Sequence, residues 1–273
     1  MHTLSELDAL VLVGGQGTRL RPVVADRPKP LAEIGGRPFL TYLLDFLALA
    51  GIRRATLCTG YRAEMIQAEL GQHYGPLCLR YSPETEPLGT AGAVRAALPR
   101  VESSTLLVAN GDSLCEADLE EFLRFHRKRN AAVSMLLTWV DDCSRFGQIR
   151  CDEAGRIVRF AEKQQSAGPG WINAGVYLIE RTVLHVWPAG RLSFEHEVFP
   201  ALAHGGDRRA IGAMLRPMPM AANDPSSTLL GWPGGGAFLD IGTPESMADA
   251  ESWLRSFRGQ RSGGLVEAAV QRR

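Results

Sequence analysis

The chain has 273 residues, 45% of them hydrophobic, enough to bury the core of one large domain or of a domain with a small appendage. Its 30 basic and 30 acidic residues leave no formal net charge. This excludes bulk attraction to nucleic acid or an anionic membrane and leaves room for a local phosphate site.

Five cysteines, Cys58, Cys78, Cys115, Cys143 and Cys151, are scattered without a Cys-x-x-Cys pair, and the six histidines lack metal-ligand spacing. The N-terminus has no basic region followed by an apolar stretch, and nowhere do eighteen apolar residues run together. The expectation is a reduced, cytoplasmic protein with no membrane span and no structural zinc.

In chain order, Asp8 to Val13 reads as a buried strand that runs directly into Gly14-Gly-Gln-Gly-Thr-Arg-Leu20, with Lys29-Pro30 behind it. Glycines at 14, 15 and 17 remove the Cβ atoms that hold backbone N–H groups away from an anion. Arg19 adds a planar fork suited to phosphate oxygens, and Lys29 a compact point charge. The segment therefore reads as a triphosphate cradle. A P-loop is excluded because no Gly-Lys-Ser/Thr follows at its spacing, and a dinucleotide fingerprint because Leu20 stands where the third glycine belongs.

Pro38 to Ala50 has helical apolar spacing and ends at Gly51; Ala55 to Thr59 predicts a strand, Arg62 to Leu70 a helix, and Leu77 to Tyr81 a strand. Gly89 to Leu98 follows as a helix, and Thr105 to Ala109 as a buried strand delivering Asn110-Gly-Asp112. This alternation predicts a mostly parallel sheet flanked by helices, with ligands beyond the carboxyl ends of the strands. Later strands are expected at Ala132 to Trp139, Gly147 to Cys151, Ile157 to Glu162 and Trp171 to Ile179, with a hairpin turn at Asp152 to Gly155. Ala221 to Gly236, rich in Gly, Pro and Ser, reads as a mobile loop. The main domain is expected over residues 1–252, with a weakly ordered tail over 253–273.

Taken together, Leu12 to Leu20 and Arg27-Pro-Lys-Pro-Leu31 resemble the signature of the sugar-1-phosphate nucleotidyltransferases, the nucleotide-sugar pyrophosphorylases. The resemblance implies a Rossmann-like α/β domain of the nucleotide-diphospho-sugar transferase type. Its implied activity is Mg²⁺-dependent transfer of a nucleoside monophosphate from an NTP to a sugar 1-phosphate, with release of pyrophosphate. The hexapeptide repeats of an appended β-helix, present in many members, are absent.

Asn-Gly-Asp112 and Phe238-Leu-Asp240-Ile-Gly-Thr-Pro-Glu245 look like the family's two metal-binding segments, implying Mg²⁺ at Asp112 and Asp240. Glu162-Lys163 followed by Ile172-Asn-Ala-Gly-Val-Tyr177 resembles its sugar-phosphate segment. Arg145-Phe-Gly147 resembles its Arg-Tyr-Gly turn, with Phe146 in place of the usual Tyr. These imply sugar-phosphate contacts at Gly147, Glu162, Lys163, Asn173 and Gly175, with Lys163 also holding the attacking phosphate. The nucleotide is expected at Leu12, Gly14, Gly15, Gly17, Thr18, Arg19, Glu84, Pro87, Gly89 and Thr90.

Thymidylyl- and uridylyltransferases commonly carry Gln where this chain has Glu84, and a carboxylate suits the adjacent N1–H and N2–H₂ donors of guanine, favouring GTP. Pro87 to Gly92, Leu192-Ser-Phe-Glu195 and the Asp-Ile-Gly-Thr-Pro-Glu segment look most like the D-glycero-α-D-manno-heptose 1-phosphate guanylyltransferases. Mannose 1-phosphate guanylyl transfer and other hexose 1-phosphate thymidylyl, uridylyl or cytidylyl transfers are the alternatives. A nucleotide-sugar sensor without turnover is the non-enzymatic alternative, and a homo-oligomer is left open.

Overall fold

The computed structural model describes residues 3–20, 23–161, 168–203 and 229–262. Strand β1 (Asp8–Val13) is buried along nearly its whole length, as expected of a central parallel strand covered on both faces. Helix α1 (Phe39–Leu49) buries most of its surface. It leads to β2 (Arg54–Thr59), α2 (Ala63–Leu70), β3 (Leu77–Pro83), α3 (Gly89–Ala97) and β4 (Thr105–Asn110). The expected β/α alternation is present, each element within about three residues of its sequence bounds.

β1 pairs in parallel with β2 and β4, and β2 with β3, so the order β3-β2-β1-β4 reverses direction beside β1. The carboxyl ends of β1 and β4 therefore flank a crevice, the usual ligand position in open α/β sheets.

Beyond β4 come β5 (Ser113–Cys115), α4 (Leu119–Lys128) and β6 (Val133–Val140). No element was expected at α4. Its start is fixed by Asp118, whose side chain accepts from the Glu120 and Glu121 N–H groups at 2.9 Å. Glu120 and Glu121 occupy its first turn and His126, Arg127 and Lys128 its last, matching the helix dipole at both ends. Strands β7 (Gln148–Cys151) and β8 (Ile157–Ala161) form the hairpin expected around Gly155.

The long strand β9 (Gly170–Glu180) joins the two halves of the molecule. One edge pairs with β6 over its length; the other pairs with β4 through Val176 to Glu180 and with β7 through Trp171 and Ile172. The β6 register shifts between Asn173 and Tyr177, where Gly175 takes φ +74°. This bulge bends β9 and opens a fork between β4 and β7.

Strand β10 (Leu229–Gly235) pairs in parallel with β6, and β11 (Phe238–Asp240) pairs with β5. The mobile loop expected over Ala221 to Gly236 is thus corrected for its second part, while residues 221–228 lie outside the described residues. The glycines there serve packing. A Cβ on Gly231 would lie 2.6 Å from Leu137 Cδ1, and Trp232 stacks on Phe122 at 5.1 Å.

Helix α5 (Pro244–Ser262) passes Trp253, where the sequence places the start of a tail, and buries Ala250 and Leu254. Residues 263–273 lie outside the described residues. No helix among the described residues is long and apolar enough to cross a membrane. The five cysteines are unpaired, and burial pushes the Cys58 and Cys115 thiols up to about 12, so neither is a ready nucleophile.

Candidate active site

One cleft of about 600 Å³ opens at the carboxyl ends of β1, β2, β3 and β4. Every residue expected to meet the nucleotide lines it: Leu12, Gly14, Gly15, Gly17, Thr18, Arg19, Glu84, Pro87, Gly89 and Thr90. Lys29 and Asp112 line it as well.

The loop after β1 folds tightly because its glycines meet specific neighbours. Gly17 has φ +57°, and a Cβ there would lie 3.0 Å from Lys29 Cβ, so the loop and the lysine stem occupy adjacent space only without a side chain. The carbonyl of Gly14 accepts from the Tyr61 N–H at 3.3 Å, which fixes the loop against the end of β2. Thr18 to Leu20 form a short 3-10 turn that buries Leu20 and leaves Thr18 and Arg19 exposed at the cleft.

Lys29 Nζ donates to Asp112 Oδ2 at 2.6 Å; the lysine side chain is 10% exposed and the aspartate 38%. A largely buried cation with an exposed counter-ion is positioned to act on an incoming anion. Asp112 leaves β4 through Gly111, and its carbonyl accepts from the Ile241 N–H at 3.1 Å, while Ser113 pairs with Asp240 across β5 and β11. Two segments more than a hundred residues apart in sequence are thereby placed side by side.

Asp240 Oδ1 accepts from the Gly242 N–H at 2.8 Å and lies 3.5 Å from the Arg145 guanidinium. Arg145 was not expected to act here; its position in the Arg-Phe-Gly turn was the available signal. Among the described residues no three His, Cys, Asp or Glu gather as a metal cage. Asp112, which lines the cleft, and Asp240, on the adjoining segment, offer carboxylate oxygens of the kind taken by a hard cation that keeps waters and completes its shell from phosphates. The donor set fits Mg²⁺.

Glu84 stands at the end of β3. Its Oε2 accepts from the Leu88 N–H at 2.9 Å, and a Cβ on Gly14 would come 2.9 Å from Oε1. Burial raises its pKa, and the Leu88 hydrogen bond offsets only part of that rise.

The segment after Glu84 is held by the motif Leu192 to Glu195. The N–H groups of Ala91 and Gly92 both donate to Leu192 O at 3.0 Å, and Leu192 N donates to Leu88 O at 2.8 Å. Gly89 has φ +73°, with a notional Cβ 2.6 Å from Leu192 O. Thr90 Oγ1 donates to Glu195 Oε2 at 2.8 Å and accepts from the Phe194 N–H at 2.8 Å. Thr90 thus lines the cleft with its hydroxyl already engaged. Leu192 O thus engages two N–H groups in the first turn of α3, whereas the glycine loop after β1 lines the cleft.

Among the residues expected to meet the sugar phosphate, the register of Gln148 opposite Ile172 sets Gly147 at the level of Asn173. Asn173 Oδ1 accepts from the Gly175 N–H at 2.9 Å, and its Nδ2 donates to the Tyr177 hydroxyl at 2.7 Å. The asparagine therefore shapes the bulge from within its own strand. Glu162 and Lys163 lie outside the described residues. Gly60, Tyr61 and Asn110 also line the cleft, although none was expected to. Gly60 and Tyr61 follow the carboxyl end of β2, a position that was the available signal.

Comparison with known proteins places these features in context. The family model for nucleotidyl transferase matches residues 8–256. The chain is 43% identical over 209 residues to a mannose-1-phosphate guanylyltransferase of Mycobacterium tuberculosis, covering 76% of this chain and 58% of that protein. It is 39% identical over 199 residues to a mannose-1-phosphate guanylyltransferase catalytic subunit beta of Drosophila pseudoobscura pseudoobscura, covering 71% and 54% respectively. The chain thus spans somewhat more than half the length of these relatives. Among solved structures it resembles HddC from Yersinia pseudotuberculosis complexed with GMP-PN. That match has a TM-score of 0.74 at 29% identity, covering 91% of this chain and 99% of that one.

Proposed function

The chain belongs to the nucleotidyl transferase family, and on that premise we propose that it transfers the guanylyl group of GTP to a manno-configured sugar 1-phosphate, giving a GDP-sugar and pyrophosphate. The observation that carries this reading is the gathering of the glycine loop, Arg19, Lys29 and Asp112 in one cleft. Similarity to two mannose-1-phosphate guanylyltransferases supports mannose 1-phosphate as the acceptor.

In the reaction, an oxygen of the sugar 1-phosphate attacks the α-phosphorus of GTP in line, and the bond to the β-phosphate oxygen breaks as pyrophosphate leaves. The backbone of Gly14 to Gly17 holds the triphosphate, while Arg19 and Lys29 offset the charge that grows on the leaving pyrophosphate. Glu84 accepts from the guanine N1–H and N2–H₂ donors, the pairing that uracil and thymine, with one N–H between two acceptors, do not offer. Lys163 and Glu162 are proposed to hold the sugar phosphate and the sugar hydroxyls. Bound at Asp112 and Asp240, Mg²⁺ would supply charge neutralisation where the two substrates' phosphates meet. No nucleophilic side chain is required, because positioning and charge stabilisation carry this displacement.

D-glycero-α-D-manno-heptose 1-phosphate is the second reading. It is favoured by the Leu192 to Glu195 and Pro87 to Gly92 segments. The test is pyrophosphate release by the purified chain with Mg²⁺, using GTP, ATP, UTP, CTP and dTTP against mannose, heptose and glucose 1-phosphates. Turnover with GTP and mannose 1-phosphate is expected. Turnover with heptose 1-phosphate alone replaces the acceptor, and nucleotide binding without turnover by any pair replaces the enzyme with a sensor.

A further inference from the structure

Asn110 has no role in the reaction as described, yet it occupies the junction between the two expected substrate sites. It ends β4 with Leu12 of β1 as its register partner, and its neighbour Ala109 is opposite Val176 of β9. It lines the cleft, and its Oδ1 is buried with no hydrogen-bond partner among the described residues. An unpaired buried carbonyl of this kind is costly unless something donates to it.

The surrounding groups fix the amide without satisfying it. A Cβ on Gly175 would lie 2.8 Å from Asn110 Nδ2 and 2.9 Å from Ser113 Oγ, so β9 presses bare backbone against this side chain at the fork. The buried Tyr177 hydroxyl accepts from Asn173 Nδ2 at 2.7 Å. The Nδ2 end is packed against Gly175 and the Oδ1 end has no donor among the described residues.

Rotating the amide would exchange a free acceptor for a free donor, and a hydroxyl group serves either because it both donates and accepts. Phosphate oxygens only accept. The side chain adjoins Gly175 of β9 through its Nδ2 end, which places Asn110 beside a residue expected at the sugar phosphate.

We propose that Asn110 selects the sugar 1-phosphate by hydrogen-bonding one hydroxyl of its sugar ring. The inference rests on the reading of the chain as a sugar-1-phosphate nucleotidyltransferase and adds a specificity residue to it. A site built around a polar group discriminates against an analogue that leaves that group unpaired.

The test is a cycle between the residue and the hydroxyl. Isothermal calorimetry on the full chain would measure mannose 1-phosphate and its 2-, 3-, 4- and 6-deoxy analogues binding to wild type, Asn110→Leu and Asn110→Asp. Thermal melts would establish that each variant is folded. In wild type, one deoxy analogue is expected to lose about tenfold to a hundredfold in affinity. In Asn110→Leu, mannose 1-phosphate loses a similar factor while that same analogue loses nothing further. Asn110→Asp, which keeps an acceptor, retains more affinity than the leucine variant, and the KM for GTP stays within about twofold of wild type in steady-state assays.

Equal weakening of every analogue in Asn110→Leu would assign the residue a purely structural role. A loss confined to GTP would move its partner to the ribose, and unchanged sugar binding would remove the contact altogether. Each of these overturns the proposal. Absence of wild-type turnover with any substrate pair would overturn the catalytic reading instead, and the calorimetric cycle would still decide Asn110.

Discussion

At the scale of single residues, the cleft separates groups that carry charge from groups that read shape. Asp112 is 38% exposed, so its loss leaves no large cavity and should cost catalysis far more than stability. Asp112→Ala is expected to lower kcat about 10²–10³-fold with an unchanged far-UV spectrum, as for removal of other preorganised charge-stabilising groups. A folded variant with full turnover would exclude Asp112 from the chemistry. Glu84 adds a pH dependence whose sign follows from its environment. Burial raises its pKa, so as pH falls through that raised value the carboxylate takes a proton and loses the acceptor proposed for guanine. The KM for GTP should therefore rise on acidification in wild type. In Glu84→Gln it should show no such dependence, and selectivity for GTP over UTP should fall. The same shift stabilises the folded state at low pH and ceases to do so as pH rises through the folded value, so Glu84→Gln should not destabilise the protein at neutral pH. Thermal melts and initial rates over the same pH series check both statements.

At the scale of elements, the chain fixes its cleft by anchoring the far ends of the strands. Asp8, 2% exposed, begins β1; its Oδ1 accepts from Arg54 Nε at 2.7 Å, and its Oδ2 accepts from the Glu102 and Ser103 N–H groups at 2.7 and 2.8 Å. Burial by itself pushes this carboxyl up, but Arg54 and the two backbone donors together hold it below the usual carboxylate range. Its stabilisation is therefore present above the unfolded-state pKa and lost as pH falls through the lower folded value. Asp8→Asn should cost about 2–3 kcal/mol at pH 7, a deficit that shrinks in urea titrations repeated below pH 4. A deficit constant with pH would sink this assignment. The α/β elements of the first half were legible because their apolar runs and glycine breaks are local. Strand β10 was not, because its glycines meet Leu137 and Thr138 across the sheet rather than forming turns. Helix α4 carried an Asp118 cap and a charge gradient that were readable, although no element was assigned there.

At the scale of the whole molecule, β9 makes the two layers of the core interdependent. Val176 and Leu178 point into the apolar cluster that holds α1, α4 and α5, whereas Tyr177 and Ile179 point into the one that holds α3 and Phe199. With alternate residues of one strand in both clusters, neither packs fully without the other. Urea unfolding followed by tryptophan fluorescence and by far-UV dichroism should therefore give coincident midpoints; two separated transitions would show that the layers unfold independently. The sequence by itself determined the α/β class, the cradle of Gly14 to Lys29 and the candidate carboxylates, because each depends on residues adjacent in the chain or on a motif of fixed spacing. Only the tertiary structure decided that Asp240 pairs beside Asp112, that Leu192 locks the segment after Glu84, and that Asn110 adjoins Gly175 with its oxygen left unpaired. These depend on strand register and on the bulge in β9, which bring together residues tens to more than a hundred positions apart, and no local pattern specifies such a meeting.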